Sequence, residues 1–515
     1  MKQMNLSAKL PAQIVAENMA ELQPAYTPQE AAVEASRCLF CFDAPCIMAC
    51  PTGIDIPSFI KKIETENIIG SARTILSANI LGASCARVCP TEVLCEGACV
   101  MVDRQRDPIK IGRLQRFATD YVYERGLDVL KSPKEKSGKR IAVIGAGPAG
   151  VGCAAELAQL GHSVVIFERK PLPGGLNTYG IAYYKMKPEI SLAEMAMVER
   201  LGVEFRCGTE VGRHISAARL QQEFDALFIG IGLGEGQPLS IPGEELDGVC
   251  DALDFIEEIH SKPLHEVTVG DSVIVIGCGN TAIDAITQAK RMGAEKGIVA
   301  YRRSEAEMSA YDFEYELAQR DGAIFYFNVT PIELIGDEAG QVCAVRFVRT
   351  ETSNNGKLTS ILGSEFTEPA DMVLKAVGQS KQSAWLTQNF PALRLDKRGV
   401  VERNPATGQT SVAHLFAGGD CANGGREVVN AVGEGKKAAR GMHTFLGQSN
   451  ILAPRQPSRQ GVNGEPCGLC RLRPSDRSAA PDPSAGSPTP PPSPSLCRNP
   501  SSAIDALPRC PCNGD

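Results

Sequence analysis

The chain has 515 residues, enough for three or four domains at ~150 residues each. Apolar residues make up 43% and charged residues 22%, the balance of a folded chain with several cores. Lys plus Arg against Asp plus Glu is 53 − 60 = −7, so no basic footprint and no nucleic-acid partner are expected. No run of 18 apolar residues occurs, and the opening MKQMNLSAKLPAQ lacks the apolar stretch of a signal peptide. Neither a membrane span nor export is expected, and the cytoplasm is the expected location. There the 19 cysteines point to metal binding rather than disulfides, and with only six histidines the ligands are mainly thiolates.

Before residue 130 the chain reads as helical, with QEAAVEASRCL and PSFIKKIETENIIGSARTILSA as candidate helices around eight cysteines. The first four run Cys38-x2-Cys41-x4-Cys46-x3-Cys50-Pro51, the kind of spacing that wraps an iron–sulfur cluster, in which the cysteine before a proline serves a second cluster. The second set runs Cys85-x3-Cys89-Pro90-x4-Cys95-x3-Cys99. Two 4Fe-4S clusters with four cysteines each is the direct count. A pair of structural zinc sites is the alternative, although only Cys38 and Cys41 have the knuckle spacing that zinc ribbons use.

KRIAVIGAGPAG then gives a strand running into Gly145-Ala146-Gly147-Pro148-Ala149-Gly150. Gly145 allows the tight turn, Gly147 lets backbone approach a pyrophosphate, and Gly150 lets helix and strand pack closely. Glu168 ends the next strand, where a carboxylate can accept hydrogen bonds from a ribose. Near residue 415, HLFAGGD followed by a small-residue helix is similar to the second flavin contact of two-dinucleotide oxidoreductases. Asp420 would then meet the ribityl chain, and the helix beginning near Glu427 would aim its positive end at the flavin ring.

A second strand–turn–helix unit, Gly277-Cys278-Gly279-Asn280-Thr281-Ala282, lies between these two flavin segments. Its following strand ends in Tyr301-Arg302-Arg303 instead of an acid, which favours a 2′-phosphate and hence NADPH over NADH. The single cysteines of the middle region form no C-x-x-C pair, and the histidines show no ligand spacing. Beyond Asn450, 14 of 65 residues are proline and nine are serine. Such a segment buries too little apolar surface to fold, so it is expected to be disordered, its Cys467 and Cys470 included.

The expected fold class is therefore α/β: a helical N-terminal iron–sulfur domain followed by two doubly wound nucleotide-binding domains, the second inserted in the first. Expected boundaries are 1–135 for the cluster domain, 136–265 with 375–450 for FAD, 266–374 for NAD(P)H, and 451–515 for the tail.

CLFCFDAPCIMACPTGIDIPSFI, CARVCPTEVLCEGAC, IGRLQRF, IAVIGAGPAG, FIGIGL, FVRTE and LFAGGD together resemble the flavin and iron–sulfur subunit of dihydropyrimidine dehydrogenase over residues 25–447. The glutamate synthase small subunit shares this layout. The residue after Ile111-Gly112-Arg113-Leu114 separates them: it is an iron-ligating glutamine in the first branch and an acid in the second, and Gln115 stands here. The resemblance assigns Cys38, Cys41, Cys46 and Cys99 to one cluster and Cys50, Cys89, Cys95 and Gln115 to the other, leaving Cys85 free against the eight-cysteine count. For FAD it implies Gly145 to Ala149, Glu168, Arg169, Gly175, Leu176, Gly419, Asp420 and, near the flavin, Lys185. For the nicotinamide nucleotide it implies Gly279, Asn280, Thr281, Arg302, Arg303, Ala376, Val377 and Gly378. Ser309 stands where the eukaryotic form has a further phosphate-binding arginine, and the bacterial two-subunit enzymes resemble NADH users, so the nucleotide stays NAD(P)H. No side-chain acid or base is required. The implied partner is an FMN-containing barrel subunit that binds the pyrimidine.

Overall fold

The computed structural model describes residues 10–353 and 356–447. The tail segment and its Cys467 and Cys470 lie outside the described residues. The head is built of short helices. Helix α1 (Pro28–Ser36) starts at a reciprocal cap in which the Thr27 side chain accepts from the Glu30 N–H and Glu30 accepts from the Thr27 N–H. It is followed by α2 (Pro45–Ala49), α3 (Ile56–Glu64), α4 (Ile68–Ala78), α5 (Gly82–Val88) and α6 (Ile111–Glu124). The long candidate helix over 57–78 is broken in two, because Glu66 takes a left-handed φ of 59° and Asn67 caps the second half through the Gly70 N–H.

The first parallel sheet has the order β14-β4-β1-β2-β3, with β1 (Arg140–Ile144), β2 (Ser163–Phe167), β3 (Glu204–Arg206), β4 (Ala226–Ile229) and β14 (Leu415–Ala417). Between β4 and β14 the chain builds a second parallel sheet of β5 (Val249–Asp251), β6 (Ser272–Ile276), β7 (Lys296–Tyr301), β8 (Ala323–Phe327) and β13 (Met372–Lys375), in the order β5-β13-β6-β7-β8. Its edge strand β5 begins ahead of residue 266, in a three-residue stretch too short to carry a strand pattern. An antiparallel group, β9 (Val329–Gly336), β10 (Val342–Thr352), β11 (Leu358–Ser360) and β12 (Phe366–Pro369), sits between β8 and β13 in sequence. The chain is thus α/β, a helical head followed by two interleaved parallel sheets.

Helix α7 (Pro148–Gln159) follows the first glycine turn, and α8 (Leu176–Tyr179) and α9 (Pro188–Arg200) follow β2. Helices α10 (Asn280–Met292) and α11 (Asp312–Arg320) belong to the second sheet, and α12 (Val428–Phe445) returns to pack on α7. Small residues let α7 and α12 approach closely: a Cβ on Gly152 would lie 3.0 Å from the Val432 carbonyl oxygen, and one on Gly435 would overlap the Ala149 carbonyl. One apolar cluster runs from Phe59, Ile75 and Leu114 in the head to Val143 of β1 and Val151 of α7. Each such buried side chain contributes roughly 1.5–3 kcal/mol, so the head is anchored to the sheet it precedes. Among the described residues no single helix is long and apolar enough to cross a membrane.

Candidate redox site

The head gathers its thiols into two groups. Burial, then the neighbouring Cys38 and Cys99, push the Cys46 thiol up to about 12; burial followed by Cys41 and Cys99 raises Cys38. In the second group a hydrogen bond with Cys85, then burial, then Cys95 and Cys50 raise Cys89 well above its ordinary value. Burial, then Glu96, Cys50 and Cys46 raise Cys95, which places the two groups side by side. One cavity is lined by Cys50, Cys85, Cys89, Cys95 and Gln115 together. The Gln115 amide nitrogen donates to the Gly82 carbonyl at 2.7 Å, which orients the amide and leaves its oxygen as the acceptor atom of the side chain. This donor set fits a thiolate-held cluster, and any metal that binds must displace the thiol protons. Among the described residues no three His, Cys, Asp or Glu side chains are grouped to hold a single metal ion.

Val429 of α12 lines the same inner cavity, and a Cβ on Gly433 would lie 2.8 Å from the Pro51 carbonyl. The Cys50 group is therefore packed against the start of α12. The Cys38 group adjoins it through Cys46 and Cys95.

At the first turn Gly145 has φ 98°, and a Cβ there would lie 2.5 Å from the Gly230 carbonyl oxygen. A Cβ on Gly150 would overlap the Gly145 carbonyl, whereas one on Gly147 would meet nothing within 4 Å. Gly147 sits at the N-terminus of α7, where Pro148 occupies the first helical position. The turn fits a dinucleotide phosphate approaching the backbone. Glu168 is buried and accepts from the Ala146 and Lys170 N–H groups, each at 2.8 Å, while Arg169 is exposed. Gly175 packs on the turn: a Cβ there would be 2.9 Å from Gly147 Cα. Leu176 beside it is 43% exposed. Gly419, at φ 72°, would place a Cβ 2.8 Å from that of Ala149. The structure thus brings Gly147, Ala149, Gly175 and Gly419 together from three distant segments. Burial raises the Asp420 carboxyl, which accepts from the Arg426 N–H at 3.2 Å. Lys185 is committed elsewhere, to Asp284 at 2.7 Å and Glu314 at 2.5 Å. Burial would lower its ammonium, but these two carboxylates outweigh that and hold it at about 12.

The second turn opens a cleft of about 780 Å³ lined by Gly279, Asn280, Thr281, Arg302, Ser309 and the Ala376-Val377-Gly378 stretch. Arg303 does not line it. Its guanidinium pairs with Glu307 at 2.7 Å, within a capping box begun by Ser304. Lys375 also lines the cleft, paired with Glu244 at 3.0 Å. Motif reading missed Lys375, and it missed Tyr311, whose N–H donates to Asn280 Oδ1 at 3.2 Å. No spacing signal marks either residue.

A thiol-lined helical head followed by two parallel sheets, each opened by a glycine turn, is the build of an iron–sulfur pyridine-nucleotide oxidoreductase. Residues 15–127 match the family described as dihydropyrimidine dehydrogenase domain II, 4Fe-4S cluster, and residues 139–435 match pyridine nucleotide-disulphide oxidoreductase. The chain belongs to this oxidoreductase family, in the group that includes glutamate synthase small chains and dihydropyrimidine dehydrogenase subunits. It is 36% identical over 455 residues to the glutamate synthase [NADPH] small chain of Halomonas elongata, covering 85% of this chain and 95% of that protein. It is 34% identical over 426 residues to the NAD-dependent dihydropyrimidine dehydrogenase subunit PreT of Escherichia coli K12, covering 83% and 97%. Among solved structures, Mycobacterium tuberculosis FprA in complex with NADPH shares the fold with a TM-score of 0.50 at 19% identity, over 60% of this chain and 84% of that one.

Proposed function

We propose that this chain is the electron-input subunit of a dihydropyrimidine dehydrogenase. It would take electrons from NAD(P)H and deliver them to an FMN-bearing barrel subunit that interconverts uracil or thymine and their 5,6-dihydro forms. The observation that carries the choice of branch is Gln115, a neutral amide lining the inner cavity with Cys50, Cys89 and Cys95. The 36% identity to a glutamate synthase small chain supports the second reading, an electron feeder for glutamate synthesis.

When bound, the nicotinamide nucleotide would supply a hydride, that is two electrons and a proton, to FAD, which would lose the proton to solvent and give up the electrons one at a time to two 4Fe-4S clusters. The Gly145–Gly150 turn with Glu168, Arg169, Gly175, Leu176, Gly419 and Asp420 would hold FAD. Lys185, bound to Asp284 and Glu314, would act there by fixing the two sheets rather than by touching the flavin. Gly279, Asn280, Thr281, Arg302 and Ala376 to Gly378 would hold the nucleotide, with Arg303 held back by Glu307. Cys50, Cys89, Cys95 and Gln115 would ligate the cluster nearer α12, and Cys38, Cys41, Cys46 and Cys99 the outer one. The head would then face the partner. The test is reconstitution: the purified chain should oxidise NAD(P)H with an artificial acceptor and reduce uracil only when an FMN subunit is added. Glutamate synthesis on adding an amidotransferase subunit would select the second reading.

A further inference from the structure

The loop between β7 and α11 carries one residue that touches both glycine-turn systems. Tyr311 immediately precedes α11, and its N–H donates to Asn280 Oδ1, the first residue of α10 and part of the cleft lining. Its phenol donates to Glu427 Oε1 at 2.7 Å, and Glu427 is the residue on which α12 begins. The ring is fixed from one side by Phe313, stacked at 5.7 Å and 8°. A single residue, through its backbone N–H at one end and its half-buried phenol at the other, therefore ties the nicotinamide cleft to the helix that also borders the inner thiol cavity through Val429.

The two ends of this tie differ in what a ligand would do to them. Asn280 Oδ1 accepts from the Tyr311 N–H, which fixes how the Asn280 amide is turned, so a nucleotide that rotates this side chain to engage it strains or breaks that bond. Glu427 carries a negative charge at the positive end of α12, and the phenol hydrogen bond disperses part of that charge. Release at the Asn280 end loosens the ring's hold on Glu427. The field at the start of α12 then changes.

We propose that Tyr311 is the positioning residue through which occupation of the nicotinamide cleft is felt at the flavin-facing end of α12. This rests on the assignment of FAD to the first turn. Coupling of this kind requires an element that both sites bias, and Tyr311 is placed to be that element.

The test uses the flavin's own absorbance in the full chain. NAD⁺ or NADP⁺, which bind without reducing the flavin, should produce a difference spectrum in the unmodified chain. Tyr311→Phe keeps the ring and the N–H but removes the hydrogen bond to Glu427. Its difference spectrum should shrink by about five-fold, the lower end of ordinary coupling between sites, while nucleotide affinity changes far less. The rate of flavin reduction in a single turnover should fall while KM stays near its original value. Glu427→Ala, which breaks the same bond from the other side, should act alike and serves if Tyr311→Phe folds poorly. An undiminished difference spectrum in a flavin-bearing variant overturns the coupling alone. A chain that purifies with both thiol groups loaded but no flavin overturns the reading beneath it.

Discussion

The two glycine turns share one strand–turn–helix frame and differ in everything around it. The Gly145 turn is closed in: Glu168 is buried against it, Gly175 packs on Gly147, and Gly419 packs on Ala149. The Gly277 turn faces a roomy cleft in which Arg302 is exposed. An enclosed turn whose walls come from three segments suits a resident cofactor, which need not exchange in each cycle. An open one suits a nucleotide that must enter and leave. The same supersecondary unit thus serves as a holder or as a dock, and its neighbours decide which.

The largest effect is expected at the enclosed turn. Gly145→Val should abolish flavin retention, because a left-handed residue gains a Cβ against the Gly230 carbonyl. Flavin release from the purified variant on desalting is the check; Gly279→Ala, whose Cβ would lie 3.3 Å from Ser309 Oγ, should keep its flavin. The next effect concerns the thiol cavity beside α12. Gln115→Ala should lower iron and sulfide content, whereas Cys85→Ser should preserve both clusters. If instead Cys85→Ser loses one cluster while Gln115→Ala keeps it, the inner site is all-cysteine.

At the open turn, Arg302→Ala should weaken nucleotide binding by about 1.5–3 kcal/mol, the scale of a charged hydrogen bond, and more for NADPH than for NADH. Arg303→Ala should change it much less, since Arg303 is already paired with Glu307. Equal losses in the two variants, measured by titration, would contradict the geometry.

The smallest effect comes from Glu194 of α9, which joins the head to the enclosed turn. Its buried carboxylate accepts from the Ala83 and Ser84 N–H groups at 2.8 and 3.0 Å, and Ser84 Oγ in turn accepts from Asn177, two residues after Gly175. Burial outweighs these bonds and raises the carboxyl to about 7. A folded-state value above the unfolded one means the folded chain holds the proton more tightly. The stability from this group is therefore full below about 4.5 and is lost as pH rises through about 7. Glu194→Gln should flatten the thermal-stability profile across that window.

What could be read from the sequence was what lies close together in it. The Gly145 and Gly277 turns, their strands and their helices are local patterns, and the residues that carry them stand within a dozen positions. The pairing of Arg303 with Glu307 went unread although its cue is local, a capping box of Ser304 and Glu307 three residues apart. The pairing of Lys185 was not legible, since Asp284 and Glu314 lie far along the sequence, on α10 and α11. Glu194 and Tyr311 were hidden for the same reason: each acts on a segment more than a hundred positions distant and neither sits in a motif. The break at Glu66 and Asn67 gave only a weak cue, an Asn cap inside an apolar run.

The role proposed for this chain is to feed electrons to a pyrimidine-reducing partner. The most direct measurement is uracil reduction by NAD(P)H with the purified chain alone, and then with an FMN barrel subunit added. The prediction is no reduction alone, with nucleotide oxidation supported only by an artificial acceptor, and full reduction when the two are combined. Uracil reduction by the isolated chain would contradict the account, as would its absence from the combination when an amidotransferase subunit yields glutamate instead.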